Sequence, residues 1–431
     1  MKPEYDVLII GAGAAGLAAA GELASAGCSG LLLDARERIG GRCWSLRVPG
    51  LPPVELGAEF VHGRPAATMS LIQEAGAAML DAPRRPWIVK EGRLVPREDY
   101  FAEIQAVMKA DRALARCDLS FDVYLDRALR PRLSHEACVY ARMLVQGYDA
   151  ADPARVSARA IAEEWTQEGA AALGRPLAGY GPLLDHLRAG LSGGGVALRL
   201  QTVVRTVEWR RGFVAIEAQS YGMPFRATAA RALITIPIGV LRARALMPGA
   251  VRFQPRLKEK RAALTRLGVG PVIKVALHFS SAFWETLDRG RYRDGTFFHC
   301  PGAAFPTFWT ALPARAPLLV AWAGGPNAER MTGAAPARIM RHALDSLRQI
   351  FGVGAKLVNG YVCDWLQDPY ARGAYSYVMV GGDRAREALA ASIAGTLYFA
   401  GEATDLDGEA GTVAGALQSG RRAAREIIGG L

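Results

Sequence analysis

The chain opens with a short apolar run and then changes from a strand-like to a helix-like pattern. Residues 5–10 (YDVLII) are β-prone and apolar without alternation, which is typical of a strand buried on both faces. Residues 14–26 are rich in alanine and predict a helix, and residues 30–34 (GLLLD) predict a second buried strand that ends in an acid. Together the three elements predict a βαβ unit.

Farther along, the pattern separates a helical region from a strand-rich one. Residues 98–190 predict helices, residues 197–209 (ALRLQTVVRTVEW) predict one strand, and residues 270–325 predict several, among them VIKVALHF and APLLVAWA. The predicted breaks in the helical region are Pro131, Pro153 and Pro176. Neither an internal repeat nor a low-complexity linker divides the sequence.

Three glycines follow the first strand in the spacing G-x-G-x-x-G. Gly11 permits a tight turn, Gly13 lets the backbone approach a pyrophosphate, and Gly16 lets the helix pack closely on the strand. The helix N-terminus supplies unpaired N–H groups for phosphates. Asp34 is placed to bind an adenosine ribose and would repel a 2′-phosphate, which disfavours NADP. The βαβ unit therefore predicts a dinucleotide-binding site, and three glycines that serve only a structural turn are the alternative.

Composition and charge narrow the class of protein. The chain has 431 residues, 51% of them hydrophobic, and a formal net charge of +11. Its basic residues are scattered, so a solvated surface is the simpler interpretation and attraction to an anionic partner is the alternative. No basic run interleaves with aromatic residues, and we therefore expect no nucleic-acid partner.

The cysteines and the apolar segments indicate the cellular compartment in which the protein is expected. The six cysteines form no C-x-x-C pair and no Cys/His cluster with zinc spacing, so reduced thiols and no metal site are expected. No stretch of about 18 apolar residues suggests a membrane span. Because Met1 leads directly into a strand, with no signal-like segment, we expect a cytoplasmic protein.

Further motifs separate flavin from nicotinamide as the ligand. After Asp34 the chain reads ARERIGGRCWS, and later blocks read ELGAEFVHG (55–63), TIPIGVL (235–241), DWLQDPYARGAYS (364–376) and LYFAGEATDLDGEAGTVAGALQSG (397–420). In these blocks the sequence resembles the flavin-containing amine oxidases, which include monoamine oxidases, polyamine oxidases and lysine-specific histone demethylases. Asp34 replaces the glutamate usual in that family. The resemblance implies FAD as the cofactor.

The resemblance also implies an α/β fold with a discontinuous FAD-binding domain of the Rossmann type. We expect this domain to comprise residues 1–75, 190–240 and 385–431. Residues 76–189 and 241–384 would build a second, substrate-binding domain from a mixed sheet and helices. The reactive edge of the flavin would lie between the two domains, where ligand pockets tend to form.

On the resemblance, many positions match cofactor-binding residues. They are Gly11, Gly13, Ala15, Gly16, Asp34, Ala35, Arg36, Gly41, Arg42, Gly57, Ala58, Glu59, Phe60, Val204, Trp365, Gly401, Glu402, Thr412 and Val413. Val204 would meet the adenosine end through its backbone. Ala374 stands where monoamine oxidases attach the flavin through a cysteine, so we expect non-covalent FAD.

Two residues match catalytic positions of the family. Lys274 interrupts an apolar strand and matches the lysine that reaches a water near the flavin and assists reoxidation; a lysine on an edge face is the alternative. Tyr375 matches one of two aromatic side chains that face each other before the flavin. Thr412 occupies the second position, so the pocket would be wider than that of monoamine oxidases and would suit substrates larger than small aryl-alkyl amines.

Other candidates have a structural alternative of similar weight. Glu59 and His62 match positions that polyamine oxidases use to hold a distant amine, or else make supporting hydrogen bonds. Substrate contact is thus predicted for Glu59, His62, Tyr375 and Thr412. Residues that either line the path or belong to the core are Trp165, Phe308 and Trp309.

These observations predict an FAD-dependent amine oxidase. It would oxidise a polyamine or another extended or secondary amine to an imine and then an aldehyde, with O2 reduced to H2O2. A desaturase of carbon frameworks, such as a protoporphyrinogen oxidase or carotenoid desaturase, is the first alternative, and a non-enzymatic flavin scaffold is the second. The expected partners are the amine and O2, in a monomer or homodimer.

Overall fold

The computed structural model describes residues 2–111, 114, 116–167 and 172–430. The strands of these residues are β1 (Tyr5–Ile10), β2 (Gly30–Leu33), β3 (Ser45–Leu46), β4 (Val54–Glu55), β5 (Val61–His62), β6 (Met79–Asp81), β7 (Pro86–Lys90), β8 (Arg93–Pro96), β9 (Leu173–Pro176), β10 (Val196–Arg199), β11 (Thr202–Arg210), β12 (Phe213–Ser220), β13 (Met223–Ile234), β14 (Arg252–Gln254), β15 (Leu267–Val269), β16 (Val272–Phe279), β17 (Phe297–His299), β18 (Thr307–Thr310), β19 (Leu318–Gly324), β20 (Leu357–Asp364), β21 (Ser376–Val378) and β22 (Leu397–Phe399).

The α-helices of the described residues are α1 (Ala14–Ser25), α2 (Ala66–Glu74), α3 (Tyr100–Ala110), α4 (Phe121–Tyr124), α5 (His135–Gly147), α6 (Ala158–Trp165), α7 (Gly181–Ala189), α8 (Ile238–Leu241), α9 (Arg261–Arg266), α10 (Gly325–Glu329), α11 (Pro336–Phe351), α12 (Ala385–Ala390) and α13 (Val413–Gly429). A π-helical segment spans Leu125–Leu129, and short 3-10 helices span Lys258–Lys260, Phe283–Glu285, Leu287–Gly290 and Glu402–Thr404.

A sheet with a parallel half carries the predicted βαβ unit. Its order is β10–β2–β1–β13–β12–β11–β14, and β22 also pairs with β13. The β10, β2, β1, β13 and β22 pairings are parallel, in the order expected of a Rossmann-type fold. Residues Val7 to Ile10 of β1 are almost fully enclosed: Val7 and Ile9 pack against the helices, and Leu8 and Ile10 pack with apolar side chains of β11–β13.

Small residues allow the helices to pack closely on this sheet. A Cβ at Gly16 would lie 1.8 Å from the Gly11 carbonyl oxygen, and a Cβ at Gly420 would lie 2.2 Å from the Ala15 oxygen. Glycine is therefore required where α1 meets the first loop and where α13 crosses α1. This packing fixes the N-terminus of α1 beside the carboxyl ends of β1 and β2.

A second sheet and a helical layer form the rest of the structure. The order of the second sheet is β20–β16–β19–β18–β17–β7–β8, antiparallel except for the β17–β7 pair. Helix α11 packs on one face, and helices α3 to α6 form a separate apolar core. The molecule is thus an α/β protein with a Rossmann-type unit beside a mixed-sheet and helical unit.

The structure corrects two elements predicted from sequence. Residues 197–209 form not one strand but β10 and β11, separated at Gln201, whose φ is +46°. Pro176 ends strand β9 instead of breaking a helix. The helix prediction for residues 112, 113, 115 and 168–171 lies outside the described residues. The domain limits stay a prediction, and β14, from the range assigned to the substrate domain, joins the first sheet.

Candidate active site

A single cavity of about 730 Å³ connects the first sheet with the second sheet and the helical layer. Its lining includes every residue predicted to contact cofactor or substrate, with the exception of Gly16. Gly16 instead lies behind the first loop, where the close approach described above excludes any side chain. The sequence motifs, far apart in the chain, therefore converge on one space.

The glycine loop and Asp34 shape one end of the cavity. Gly11 has φ +112°, a conformation that favours glycine, and a Cβ there would lie 2.6 Å from the Thr235 hydroxyl. The Asp34 carboxylate accepts hydrogen bonds of 2.8 Å from the backbone N–H groups of Ala12 and Arg36. Burial raises the pKa of Asp34 above its usual range. Asp34 therefore fastens the end of β2 to the loop while it borders the cavity.

An ion pair joins two of the predicted cofactor blocks. Arg42 Nη1 lies 2.9 Å from Glu402 Oε1, and the Ser376 hydroxyl donates to Glu402 Oε2 at 2.7 Å. Burial opposes ionisation of Glu402, but the charges of Arg42 and Arg386 outweigh it and hold the pKa below its usual value. A Cβ at Gly57 would lie 1.7 Å from the Arg42 carbonyl oxygen, so the two turns touch through backbone.

The remaining cofactor candidates also border the cavity. Val204 lies beside a register shift in the β11–β12 pairing, so the regular ladder of backbone hydrogen bonds is interrupted next to it. Trp365 is 2% exposed and donates from Nε1 to the Leu56 carbonyl at 3.0 Å. Arg36 pairs with Asp368 at 2.6 Å. Candidates that border the cavity through loops or helix starts are Ala15, Ala35, Gly41, Ala58, Phe60, Gly401 and Val413.

These features fit an extended dinucleotide such as FAD. Gly13, the N-cap of α1, offers no side chain to cap the helix, so the first-turn N–H groups face the cavity. A Cβ at Gly13 would meet no atom closer than the Gly40 oxygen at 4.0 Å, so the missing side chain leaves room at the loop. A second helix, α13, begins at the other end of the lining, where Thr412 caps it.

Lys274 lies deep in the second sheet, between strands β19 and β20. It is 1% exposed and donates from Nζ to Glu59 Oε2 at 2.7 Å and to the Gly57 carbonyl at 3.0 Å. Glu59 Oε1 also accepts from Trp309 Nε1 at 3.0 Å and lies 3.1 Å from Arg175 Nη2. Burial alone would raise the pKa of Glu59, but the positive charges of Lys274 and Arg175 outweigh it and lower the pKa below its usual value, so the carboxylate is ionised.

This arrangement changes the expectation for Glu59. Its two carboxylate oxygens already receive three donors from the protein, so it orients Lys274 in this structure. Sequence reasoning missed Arg175, because it lies on β9, in a region predicted to be helical. Contact of Glu59 with substrate stays a prediction.

Aromatic and polar side chains surround the space beyond Lys274. Tyr375 donates its hydroxyl to the Tyr148 carbonyl, and its burial raises its pKa well above the usual value. The Thr412 hydroxyl donates to the Glu409 carbonyl at 2.6 Å and accepts from the Gly415 N–H, so its polar atom serves the helix start. Burial lowers the pKa of His62 to about 4, and the ring is therefore neutral.

Sequence reasoning missed two acidic residues, Glu164 and Asp149, which border the cavity and whose charges act on Tyr375. Glu164 borders the cavity and is accessible from it, and its carboxylate has neither a hydrogen bond nor an ion pair with any described side chain. Enclosure by protein raises its pKa to about 7, with Glu409 adding to the effect and Arg386 opposing it. Asp149 Oδ2 is buried without a partner, and burial raises the pKa of Asp149 well above the usual value.

The aromatic candidates divide between cavity and core. Trp309 and Trp165 border the cavity, and Trp165 donates from Nε1 to Asp149 Oδ1 at 3.4 Å. Phe308 is fully enclosed in the core of the second sheet and does not border the cavity. Ala374 borders the cavity and carries no nucleophile, and non-covalent attachment of FAD stays a prediction.

The comparisons with known proteins agree with this geometry. A family profile described as "Flavin containing amine oxidoreductase" matches residues 14–428. The chain therefore belongs to the flavin-containing amine oxidoreductases. It is an FAD-dependent amine oxidoreductase.

Several named relatives share nearly the whole length of the chain. It is 29% identical to "Lysine-specific histone demethylase 1 homolog 2" of Arabidopsis thaliana over 99% of this chain, which covers 58% of that protein. It is also 29% identical to "Polyamine oxidase 3" of Oryza sativa subsp. japonica, with 98% of this chain and 88% of that protein covered. The chain thus spans little more than half of the demethylase but most of the polyamine oxidase.

Solved structures share the fold. Wild-type putrescine oxidase bound to putrescine superposes with a TM-score of 0.80 at 22% identity, covering 99% of both chains. Cyclohexylamine oxidase from Brevibacterium oxydans IH-35A gives the same values. Among the described residues, no helix is long and apolar enough to span a membrane.

Proposed function

We propose that this protein oxidises an extended amine, a polyamine or another secondary amine, with O2 as the electron acceptor. The amine would lose two electrons and two protons to become an imine, which water hydrolyses to an aldehyde and a released amine or ammonia. O2 would take up the two electrons and two protons as H2O2. FAD, when bound, supplies the carrier of the two electrons.

The observation that carries the proposal is the Glu164 carboxylate, which borders the same cavity as Lys274 and Tyr375 and has no partner among the described side chains. An unpaired carboxylate at the wall of a ligand cavity attracts a cationic group of the ligand. An extended amine has a second nitrogen that can bind there while the first lies deeper in the cavity. A small monoamine has no group for this position.

The walls next to Tyr375 favour the reactive form of the amine. Oxidation requires the lone pair on nitrogen, so the amine must be neutral when it reacts. The half-buried Tyr375 ring and the neutral His62 ring offer little solvation to an ammonium. The pocket would therefore release the proton from the deeper nitrogen while Glu164 holds the outer one charged.

Lys274 has a separate role in the proposal. Reduction of O2 develops negative charge, and a buried ammonium fixed by Glu59 and the Gly57 carbonyl is preorganised to stabilise that charge. This role agrees with what the family resemblance implies for the lysine.

The test measures H2O2 release by the FAD-loaded protein with putrescine, spermidine and benzylamine, and with a protoporphyrinogen for the desaturase alternative. We expect both polyamines to react with lower KM than benzylamine. Glu164→Gln should raise KM for putrescine roughly tenfold or more, as for loss of a charge-assisted hydrogen bond. Benzylamine, which lacks a second nitrogen, is the control and should be unaffected.

Two results would contradict the proposal. H2O2 formed with the porphyrinogen and with none of the amines would favour the desaturase. An equal effect of Glu164→Gln on putrescine and benzylamine would show that Glu164 does not bind the second nitrogen.

A further inference from the structure

Two arginines border the cavity without an acidic partner. Arg84 lies between β6 and β7, and Arg97 follows β8. Within the described ranges, neither side chain forms a hydrogen bond or an ion pair. Arg97 Nε and Nη1 are buried and unpaired, and its guanidinium lies 4.3 Å from the centroid of the Tyr140 ring. Arg84 is exposed and Arg97 is half-buried. The buried, unpaired nitrogens of Arg97, with a second cation beside them at the cavity wall, favour an anionic occupant.

The neighbouring titratable groups leave about one positive charge at this place. Asp99 borders the same part of the cavity and acts on the pKa of Arg84, but it forms no ion pair with either arginine. Burial lowers the pKa of His299 to about 3, and Arg97 acts in the same direction. His62 is likewise neutral, with Arg84 adding to the effect of burial. Two arginines and one aspartate thus have a net charge that matches a monoanion.

A continuous row of rings connects these arginines with the predicted reaction position. Tyr148, whose carbonyl accepts the Tyr375 hydroxyl, begins the row. Successive ring centroids are 5.1 Å apart for Tyr148–His62, 6.2 Å for His62–Phe60, 6.0 Å for Phe60–Phe297, 6.2 Å for Phe297–His299 and 5.9 Å for His299–Tyr140. Tyr140, at the end of the row, contacts the Arg97 guanidinium, so Tyr375 and the two arginines border one continuous aromatic wall of the cavity.

We propose that Arg84 and Arg97 bind a carboxylate carried by the amine substrate. The inference rests on the proposed function and narrows the substrate class to amines that also bear a carboxylate. The planar guanidinium fork matches the two oxygens of a carboxylate. The same pair would repel the outer nitrogen of a plain polyamine, which the Glu164 side of the cavity accepts instead.

The experiment compares substrates that differ by one carboxylate. Ornithine is putrescine with an added carboxylate, and lysine has the same relation to cadaverine. Anaerobic flavin reduction is measured for each pair with the wild-type protein, Arg84→Gln and Arg97→Gln. Arg85→Gln is the matched control, because Arg85 is the exposed neighbour of Arg84, pairs with Asp294 at 3.4 Å and does not border the cavity.

We expect the wild type to reduce its flavin at lower concentration with ornithine and lysine than with putrescine and cadaverine. Arg84→Gln and Arg97→Gln should each weaken the apparent affinity for the carboxylated partner roughly tenfold to a hundredfold. The diamines should be unaffected or bind more tightly. Arg85→Gln should resemble the wild type with all four.

A second measurement separates this inference from the proposed function. Binding of butyrate, a carboxylate without an amine, is measured by calorimetry on the FAD-loaded protein. If no amine reduces the flavin but butyrate binds and Arg97→Gln abolishes that binding, the oxidase proposal fails and the anion site stands. If diamines react and butyrate does not bind, the anion site is overturned. Arg97→Lys, which keeps the charge and loses the fork, should bind butyrate with intermediate affinity and guards against misfolding of Arg97→Gln.

Discussion

Glu59→Gln and Lys274→Met remove the same 2.7 Å contact, yet we expect them to differ clearly in stability. Glu59 is shared by Lys274 and Arg175, whose side chains are 1% and 12% exposed. Glu59→Gln leaves both cations enclosed without the carboxylate. Lys274→Met leaves one anion, Glu59, with one cation, Arg175, and with the Trp309 N–H.

The structure gives the size of the difference. Removal of the only shared anion of an enclosed ion pair lowers the free energy of unfolding by about 3–5 kcal/mol. Glu55, which also lies in the field of Lys274, compensates poorly because burial raises its pKa. Lys274→Met leaves mainly the Gly57 carbonyl unpaired, which costs about 1–3 kcal/mol. We therefore expect Glu59→Gln to be less stable than Lys274→Met by about 2 kcal/mol, a factor of roughly 30 in the folding equilibrium.

The assay is urea unfolding of each variant at one fixed excess of FAD, because bound cofactor contributes to apparent stability. Lys260→Met is the matched control: Lys260 is also 1% exposed but donates to the carbonyls of Ala388 and Ala391. It should resemble Lys274→Met. Equal losses for Glu59→Gln and Lys274→Met, or a greater loss for Lys274→Met, would refute the shared-anion reasoning.

Three further predictions concern the loop, the lysine and the outer carboxylate. Gly16→Ala should lower stability by about 1–3 kcal/mol and weaken FAD binding in a fluorescence titration, because its Cβ would lie 1.8 Å from the Gly11 oxygen. The control is Gly21→Ala on the same helix: no atom lies within 4 Å of the added Cβ, so this variant should gain about 0.5–1 kcal/mol in free energy of unfolding. Similar losses of stability in both variants would contradict this view. Lys274→Met should slow reoxidation of reduced flavin by O2 at least roughly tenfold in stopped flow, because it removes a charge-stabilising group, while the affinity for FAD changes less. An unchanged rate of reoxidation would show that Lys274 does not assist the reaction with O2. Because the pKa of Glu164 is raised to about 7, its carboxyl group loses its negative charge as the pH falls below that value. The KM for putrescine, relative to that for benzylamine, should therefore rise as pH falls from 8 to 6. The same pH dependence in Glu164→Gln would exclude Glu164 as its cause.

The sequence predicted the parts of the fold that follow from local pattern. The apolar run of β1, the glycines and Asp34 lie within one βαβ unit, and their spacing carries the geometry directly. Residues 197–209 show the limit of this reasoning. The turn at Gln201 lies inside an otherwise strand-like stretch, and pairing with β2 on one side and β12 on the other divides it.

The candidate site was predictable only where a motif marks the residue. Lys274 and Tyr375 stand in motifs, so the resemblance identified both. Arg175 and Glu164 stand in none, and only the fold brings them to the site. The β5–β9 pairing brings Arg175 to Glu59, and α6 brings Glu164 to the cavity. The function of such an arginine or glutamate depends on whether the folded chain places an oppositely charged partner beside it. The local sequence around the residue contains no signal for that.

The most direct test of the account is anaerobic mixing of the FAD-loaded protein with ornithine and, separately, with putrescine, followed by admission of O2. We predict that the absorbance of oxidised flavin is lost in a single turnover with each amine, faster at low concentration with ornithine, and that O2 restores it with one H2O2 per flavin. Flavin that stays oxidised with every amine tested, in protein that retains its FAD, would contradict the account.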